Sequence, residues 1–171
     1  MDRGTVTAQL KRMNLSEALM GVALPFESTV YEAGKTLESE IREHVRCTGN
    51  EAMLQQLTVI LLSNALKYSD EGGTIRVSLE KSGRNVKLQV ENTGNGIAKE
   101  DLERVFDRFY RTDASRNSET GGEGLGLAIA KELLEILGGQ IFVESEQGKG
   151  TAITVEVSFA RIAGKKKEQA A

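Results

Sequence analysis

Histidine, cysteine, proline and tryptophan are almost missing from this chain. Its 171 residues include one histidine, one cysteine and one proline, and no tryptophan. A zinc site takes about four histidine, cysteine or acidic ligands, and a disulfide framework takes at least a pair of cysteines, so neither is expected. A catalytic triad would have to use His44, which lies in a polar stretch with no glycine elbow, so we interpret His44 as a surface residue. Cys47 fits a cytosolic protein with an incidental thiol.

A strong charge of either sign and a long apolar run are also lacking. The 22 basic and 25 acidic residues leave a formal net charge of -3, which provides no basic field for nucleic acid. The chain contains no run of about 18 apolar residues, the length that a membrane-spanning helix needs. It also does not open with the charged and then apolar segments of a signal peptide. The hydrophobic fraction of 39% is ordinary for a folded protein. The length suits a single domain with a full core, or such a domain with a short appendage.

Apolar residues at helical spacing predict three long helices and a short one. The first long helix opens at residues 14–17, where Asn14 or Ser16 can cap it, and runs to about Gly34 with a kink at Pro25. The later helices are predicted at Ala52 to Tyr68, Lys99 to Phe106 (the short one) and Gly124 to Leu137. Their inner faces are Leu54, Leu57, Leu61, Leu62 and Ala65 in the second long helix, and Leu125, Ala128, Ile129, Leu133, Ile136 and Leu137 in the third.

Alternation of apolar and polar residues predicts strands that leave one sheet face polar. The predicted strands are Thr36 to Ile41, residues 75–80, residues 86–91, a strand around Ile141 and Val143, and residues 153–159, with turns at 81–84 and 148–150. Antiparallel strands with one polar face need helices on the other face. The expected fold is therefore an α/β two-layer sandwich, with a mixed, mostly antiparallel sheet and helices on one face.

Three segments have no place in this predicted core. Met1 to Met13 is polar and is interpreted as a helical fragment or a frayed end. Thr112 to Gly122 has no large apolar residue to anchor it, so a mobile loop is expected. The tail from Lys165 to Ala171 is expected to be solvated.

Glycines cluster at three places where backbone could approach a ligand closely. The clusters are Gly94 to Gly96 after a strand, Gly121 to Gly126 at the start of the last helix, and Gly148 to Thr151 in the last turn. A glycine-rich helix start presents free N–H groups and a positive dipole, which suits phosphate. Taken alone, each cluster is more typical of a flexible lid or an ordinary turn than of a phosphate site. The chain has no P-loop, no G-x-G-x-x-G after a strand, and no H-R-D or D-F-G of a serine or tyrosine kinase.

A polar stripe runs beside the apolar face of the second long helix. Asn64, Lys67 and Tyr68 share this stripe because they are three and four residues apart. The Asn64 amide oxygen could bind a hard cation such as Mg2+, Lys67 offers a charge for phosphate, and Tyr68 offers a ring for a base. Taken alone, such a triplet is more often a polar helix edge.

Together and in order, these motifs resemble the catalytic ATP-binding domain of bacterial sensor histidine kinases, over about Leu15 to Phe159. That domain belongs to a group shared with gyrase, mismatch-repair ATPases and the large heat-shock chaperone. The matching segments are QLTVILLSNALKYS at 56–69 (N box), NTGNGI at 92–97 (first glycine box), FDRFYR at 106–111 (phenylalanine box), GEGLGLAI at 122–129 (second glycine box) and GKGT at 148–151 (the last). The resemblance implies a Bergerat-type ATP-binding fold.

The resemblance also implies the site residues. Asn64 would bind Mg2+, Lys67 would contact phosphate, and Tyr68 would lie by the adenine or ribose. Residues 112–121 would form an ATP lid, and Thr151 would support the residue that binds adenine through a hydroxyl hydrogen bond. The implied catalytic set is Asn64, Lys67, Arg111 and Arg116, the two arginines being otherwise part of a solvated basic lid. The implied nucleotide-binding set is Asn64, Lys67, Tyr68, Asn92, Gly94, Gly96, Ile97, Gly122, Gly124, Leu125, Gly126, Leu127 and Thr151.

Asn92 departs from the family pattern. The family usually has an aspartate there, whose carboxylate accepts a hydrogen bond from the adenine amino group. An asparagine oxygen still accepts, but without charge; charged partners contribute about 1.5–3 kcal/mol and neutral ones about 0.5–1.5 kcal/mol. A loss of about 1 kcal/mol weakens affinity by several-fold to tenfold. We therefore expect ATP binding to be weakened and not abolished.

Ile60 and the missing acceptor histidine are the other departures. Many family members have asparagine at the position of Ile60, and ATP-hydrolysing relatives such as gyrase have a glutamate base nearby. Isoleucine can neither bind a metal nor take a proton, which argues against a gyrase-like ATPase. No His-Glu dipeptide is present, since Val45 follows His44. The phosphoacceptor histidine is therefore expected on a dimerisation segment outside this chain.

The resemblance implies a catalytic domain of a protein-histidine kinase, with ATP and Mg2+ as cofactors, inactive without its acceptor domain. The expected regions are residues 1–14 as a remnant of a dimerisation helix or linker, 15–160 as the ATP-binding catalytic domain, and 161–171 as a disordered basic tail. The implied partners are the dimerisation domain and a response regulator, and no nucleic acid. The isolated domain is expected to be a cytoplasmic monomer, and its parent a homodimer anchored in the bacterial inner or plasma membrane.

Two alternatives remain open at this point. Asn92 and Ile60 could leave a pseudokinase that only binds nucleotide or a protein partner. An anti-sigma-type serine kinase shares the same fold, but the box at Phe106 to Phe109 and the long lid favour a histidine kinase over it.

Overall fold

The computed structural model describes residues 9–107 and 126–158. The polar and apolar patterns of the sequence set most of its helices and strands. Within these ranges the elements in chain order are β1 (Lys11–Asn14), α1 (Leu15–Glu32), β2 (Thr36–Ile41), β3 (Arg46–Gly49), α2 (Glu51–Tyr68), β4 (Thr74–Ser82), β5 (Asn85–Asn92), α3 (Lys99–Leu102), α4 (Gly126–Leu137), β6 (Gln140–Glu146) and β7 (Gly150–Ser158).

Five strands form the main sheet in the order β2-β4-β5-β7-β6. The β2–β4 pair is parallel, because α2 intervenes in the chain and allows the crossover. The β4–β5, β5–β7 and β6–β7 pairs are antiparallel. The predicted mixed, mostly antiparallel sheet is confirmed.

One face of this sheet packs against the helices. Helices α1, α2 and α4 each contact strands of the sheet. The buried residues alternate along the strands and meet the apolar face of α2; they are Ile75, Val77, Leu79, Val86, Leu88, Val90, Ile153, Val155 and Val157 on the sheet, and Leu54, Leu57, Leu61, Leu62 and Ala65 on α2. On the opposite face, Arg76 and Glu80 are exposed, so the two-layer sandwich is confirmed.

Asparagine side chains begin the first two helices. Asn14 Oδ1 accepts a hydrogen bond from the Glu17 N–H (3.0 Å), and Asn50 Oδ1 accepts one from the Met53 N–H (3.0 Å). Each bond satisfies a donor that has no partner inside the helix. Of the two caps considered from the sequence, Asn14 is the one used. Pro25 lies inside α1, and the kink stays a prediction.

The N-terminal region corrects the sequence prediction. Residues up to Met13 were expected to be helical or frayed, but Lys11–Asn14 is a strand that pairs antiparallel with Arg46–Gly49. This small second sheet packs its apolar residues into the core, where Met13 and Cys47 are both buried. Local pattern could not reveal it, because four-residue strands rich in polar residues depend on their partner for stability.

Two helices also differ from their prediction. The short helix ends at Leu102 and continues only as turns, so it does not reach Phe106. In α4, Leu127, Ala130 and Leu134 are buried, whereas Ile129 and Ile136 are only half-buried. Ala128, Leu133 and Leu137 are buried as predicted, so the inner face of α4 was predicted correctly at these three positions, and Leu127, Ala130 and Leu134 were missed. Residues 124–125 of the predicted helix lie outside the described residues.

His44 is exposed, as predicted. Its φ is 61°, in the left-handed region. No helix in the described ranges is long and apolar enough to cross a membrane.

Candidate nucleotide site

The polar stripe of α2 ends beside the sheet. Burial of the apolar face leaves Asn64, Lys67 and Tyr68 half-buried along one edge of the helix. Lys67 Nζ lies 5.3 Å from the centroid of the Tyr68 ring, within reach of a cation–π interaction. The helix therefore presents an amide, a cation and an aromatic ring along one edge.

The first glycine box packs directly against the end of this helix. A Cβ placed on Gly94 would lie 2.6 Å from the Tyr68 carbonyl oxygen, so only glycine allows this approach. The neighbouring backbone is hydrogen-bonded, since the Asp70 N–H donates to the Thr93 carbonyl (3.2 Å). The structure thus brings two predicted motifs, 26 residues apart in the sequence at Tyr68 and Gly94, into contact.

Thr93 links the same glycine box to the start of β4. Its hydroxyl donates to Asp70 Oδ1 (2.7 Å) and accepts from the Thr74 N–H (2.9 Å). Neither Thr93 nor Asp70 is predicted as a site residue from the sequence. This network holds the end of β5 against the turn that follows α2.

Asn92 lies buried at the end of β5, with 8% of its surface exposed. Its Nδ2 donates to the Thr93 carbonyl (3.0 Å). Because a carbonyl oxygen can only accept, this contact assigns the NH2 end of the amide and turns Oδ1 away from Thr93. No other described residue donates to Oδ1, which leaves it available as an acceptor.

Ser145 connects the glycine box to the last hairpin, and sequence reasoning missed it. Its Oγ accepts from the Ile97 N–H (2.6 Å), donates to the Gly150 carbonyl (2.9 Å) and lies 3.1 Å from Thr151 Oγ1. Ser145 occupies an inward position of β6, in line with Ile141 and Val143. A polar residue on an otherwise apolar strand face was the signal that could have found it.

Thr151 lies opposite Asn92 in the β5–β7 register. A hydroxyl bond from Thr151 to the residue-92 side chain was expected from the family resemblance. Among the described residues, the Thr151 hydroxyl instead contacts Ser145. Thr151 therefore supports Asn92 through strand pairing, and its hydroxyl belongs to the Ser145 cluster.

Gly96 makes a second close approach between the first glycine box and the last hairpin. Its φ is +78°, and a Cβ placed on it would lie 2.6 Å from the Glu146 carbonyl oxygen. Gly148 N–H also donates to the Asn95 carbonyl (2.9 Å). The glycine box therefore lies between α2 on one side and the β6–β7 turn on the other.

The start of α4 lies over the middle of α2. A Cβ placed on Gly126 would be 3.7 Å from Ile60 Cγ2, one helical turn before Asn64. Leu127 is buried beside it. Part of the second glycine box is thus near the N box, whereas Arg111, Arg116, Gly122, Gly124 and Leu125 lie outside the described residues.

A protein-only metal site is not found in the described ranges, where no group of three or more histidine, cysteine or acidic side chains could hold an ion. Asn64 remains the side chain that could contribute to a cation shared with a phosphate ligand. Mg2+ commonly binds through few protein ligands and completes its shell with phosphate and water. The available donor is therefore compatible with Mg2+ carried by a nucleotide.

A cavity of about 420 Å3 borders the sheet end of the site. Its lining includes Asn92, Thr93, Ser145 and Thr151, but not the α2 stripe. This cavity extends over the outer sheet face, where Arg76 and Glu91 are cross-strand neighbours. It is adjacent to the candidate site and does not coincide with it.

Comparison with known proteins assigns the family. Residues 49–161 match the family model described as histidine kinase-, DNA gyrase B-, and HSP90-like ATPase. The sensor protein CiaH of Streptococcus pneumoniae is 37% identical over 83% of this chain and 32% of its own length. The sensor histidine kinase WalK of Bacillus subtilis is 48% identical over 58% of this chain and 16% of its own length. The chain therefore spans about a third or less of these relatives.

Solved structures agree with the fold. The catalytic domain of histidine kinase ThkA superposes with a TM-score of 0.78 at 26% identity, covering 89% of this chain and 97% of that domain. A further structure, of ThkA in complex with the response regulator protein TrrA, superposes with a TM-score of 0.73 at 24% identity, covering 88% of this chain and 42% of the ThkA chain. The resemblance inferred from the motifs is confirmed. The chain belongs to the family of histidine kinase-, DNA gyrase B- and HSP90-like ATPases, with the sequence and fold of the catalytic ATP-binding domain of sensor histidine kinases.

Proposed function

We propose that this chain binds Mg-ATP and donates the γ-phosphoryl group to a histidine on a dimerisation domain outside it. The observation that carries this proposal is the contact between Tyr68 at the end of the N box and Gly94 in the first glycine box. Gly94 lies near both the Tyr68 carbonyl and the side chain of the buried Asn92, which supports a shared site for the end of the α2 stripe and Asn92. A base, a ribose and phosphates can then be held by one continuous surface.

The base end of the site would be read by Asn92. Its Nδ2 is engaged by Thr93, so Oδ1 would accept a hydrogen bond from the adenine amino group. Tyr68 would provide a ring beside the base or ribose. The acceptor is neutral, so the affinity should be several-fold to about tenfold below that of a carboxylate at the same position.

The phosphate end of the site would be held by Asn64 and Lys67. Lys67 would contact phosphate as a point charge, and the Asn64 amide oxygen would bind Mg2+. When bound, Mg2+ neutralises developing charge on the transferred phosphoryl group. Arg111 and Arg116 would approach the triphosphate from the lid, and the segment around Gly122, Gly124, Leu125, Gly126 and Leu127 would surround the phosphates.

Positioning and charge neutralisation would supply most of the catalysis. Ile60 faces the start of α4, where an acid or amide could otherwise act on a water molecule. Because isoleucine cannot accept a proton, direct ATP hydrolysis should be slow. Transfer to an external histidine is the reaction that this arrangement favours.

The proposed partners follow from the same reaction. The acceptor histidine would lie on the protein's own dimerisation domain, and the phosphohistidine would then serve a response regulator. The parent would be a homodimer anchored in the inner or plasma membrane of a bacterium, with this domain in the cytoplasm.

Calorimetric titration with a non-hydrolysable ATP analogue and Mg2+ tests the binding step. Asn64→Ala and Asn64→Asp should abolish measurable binding while circular dichroism remains that of the folded domain. Ser63→Ala is the matched control, since Ser63 precedes Asn64 on α2 but is exposed and outside the stripe. Equal affinity in the Asn64 variants and the unsubstituted chain would remove Asn64 from the site.

A transfer assay tests the reaction itself. The chain is mixed with a separately prepared dimerisation domain from its parent and with γ-labelled ATP. Acid-labile label should appear on that domain. If ATP binds but no label is transferred, the chain is a nucleotide-binding module and the kinase proposal is wrong.

A further inference from the structure

Lys35 lies between α1 and β2 in a tightly determined backbone. Gly34 has a φ of +76°, and its N–H donates to the Tyr31 carbonyl, while the Lys35 N–H donates to the Val30 carbonyl. These two bonds are those of a Schellman motif, which ends α1. The next residue enters the sheet, where the Thr36 N–H donates to the Gly73 carbonyl. The position of the Lys35 α-carbon is therefore determined from both sides.

The Lys35 side chain reaches a different helix. Its Nζ donates to the Leu66 carbonyl (2.8 Å) and to the Ser69 carbonyl (3.0 Å) at the end of α2. The last carbonyls of a helix have no main-chain partner within the helix, and a cation is stabilised by the negative end of the helix dipole. The Leu66 carbonyl also accepts from the Ser69 hydroxyl (3.0 Å). Lys35 thus caps α2 from outside the helix, with two charge-assisted hydrogen bonds.

The turn that Lys35 caps is the one that carries the nucleotide-binding stripe into the site. Lys67 and Tyr68 lie between the two carbonyls that Lys35 binds. The Tyr68 carbonyl in turn faces Gly94 with no room for a Cβ. If this turn frays, the cation, the ring and the contact with the glycine box all move together.

The Lys35 ammonium is engaged by the two backbone carbonyls at the end of α2. Lys35 also borders a cavity together with Tyr31 and Glu32, and none of the residues that line this cavity lines the cavity beside Asn92. Because its donors are directed at these carbonyls, Lys35 is placed to act on the site through α2.

We propose that Lys35 is a positioning residue for nucleotide binding, which holds the final turn of α2 in the geometry that places Lys67 and Tyr68. This inference rests on the proposed function, because it concerns the same site. It adds a residue that lies outside all the motifs of the sequence. The requirement is for a cationic donor that can bridge two carbonyl oxygens.

The test compares Lys35→Met, which keeps the length of the chain and removes the donors, with Lys35→Arg, which keeps charge and donors. Lys11→Met is the control, since Lys11 is exposed on β1. Each variant is titrated with the non-hydrolysable ATP analogue and Mg2+ at a temperature where circular dichroism shows it fully folded. Lys35→Met should bind about tenfold more weakly, an effect the size of a hydrogen bond. Lys35→Arg, which keeps the charge and the donors, and Lys11→Met should both bind within about twofold of the unsubstituted chain.

A merely structural role would lower the melting temperature and leave the affinity of the folded protein unchanged. Unchanged affinity in Lys35→Met, whatever its stability, therefore overturns the proposal, as does an equal loss in Lys35→Arg. If Lys35→Met does not fold, Lys35→Gln takes its place with the same expectation. Absence of binding by the unsubstituted chain would instead overturn the proposed function, and this inference with it.

Discussion

The side chain of Asn92 donates a hydrogen bond from Nδ2 to the carbonyl of Thr93, its neighbour in the chain, at 3.0 Å. The contact gives the amide one orientation, in which Oδ1 points away from that carbonyl. An aspartate at this position could not make the same bond, because both of its oxygens are acceptors when ionised. Compared with an aspartate, Asn92 lacks the negative charge but makes a hydrogen bond that holds the start of the glycine box.

Asn92→Asp should separate these two effects. Loss of the bond to Thr93, together with the approach of two acceptors, should lower the free energy of unfolding by about 1–2 kcal/mol. The charged oxygen should tighten ATP-analogue binding by several-fold to about tenfold. Urea unfolding without nucleotide and calorimetric titration measure the two quantities. Asn85→Asp, at the other end of β5, is the control and should change neither by much. Unchanged stability with weaker binding would contradict the assigned amide orientation.

Ser145→Ala should disconnect the first glycine box from the last hairpin. The Ile97 N–H and the Gly150 carbonyl would both lose their partner, which should cost about 1–3 kcal/mol in unfolding free energy. Nucleotide affinity should fall as well, because Ile97 directly follows Gly96 and belongs to the same glycine box as Gly94. Ser78→Ala is the control on the outer sheet face, with an expected change within about 0.5 kcal/mol. Equal stabilities of the two variants in urea would show that the Ser145 cluster contributes nothing.

Gly96→Ala and Gly72→Ala form a matched pair. Both glycines have a positive φ, of +78° and +69°, so alanine should cost each about 1–2 kcal/mol in backbone strain. Only Gly96 also faces a backbone atom, the Glu146 carbonyl oxygen at 2.6 Å, whereas the position at Gly72 is open. Gly96→Ala should therefore lose at least about 1 kcal/mol more unfolding free energy than Gly72→Ala. It should also weaken nucleotide binding. Equal losses of unfolding free energy in the two variants would show that the backbone around Gly96 accommodates the added Cβ without an energetic penalty.

Cys47 should make stability depend on alkaline pH. Burial raises the pKa of its thiol from 9.0 to about 11, and the charge of Arg12 lowers it only in part. The folded state thus holds the proton more tightly than the unfolded state. The resulting contribution to stability is complete below pH 9 and is lost as the pH rises from about 9 to 11. Unfolding free energies measured across this range should fall more steeply for the unsubstituted chain than for Cys47→Ala.

Thiol labelling gives an independent reading of the same residue. At pH 8 a thiol reagent should modify Cys47 only when the fold opens, because the side chain is fully buried and protonated. The labelling rate in the native state should therefore rise with urea in parallel with unfolding. Rapid labelling without denaturant would contradict the burial of Cys47 between the small sheet and the core.

Long periodic segments could be predicted from the sequence because their signal is local. The five apolar residues of α2, from Leu54 to Ala65, share one face of any helix of that phase, and the alternation in Ile75, Val77 and Leu79 defines one face of any strand. The structure agrees with both. Short elements with polar sequences were not predicted, because their stability depends on contacts with a distant segment. Lys11–Asn14 forms a strand only because Arg46–Gly49 pairs with it.

By itself, the sequence determined the two-layer fold, the order of the motifs and the side chains offered to a nucleotide, because apolar periodicity and residue chemistry are carried by each segment alone. Only the tertiary structure decided which of those segments meet. It placed the Tyr68 carbonyl against Gly94, gave Asn92 the Thr93 carbonyl as a partner, and brought Ser145 and Lys35 into the support of the site. These contacts join residues distant in the chain or depend on the angle at which strands and helices pack. The contacts of Tyr68 and Lys35 arise only when the apolar face of α2 is buried on the sheet, and those of Ser145 only when β6 pairs with β7. Neither burial nor pairing of distant segments can be read from the pattern of one segment alone.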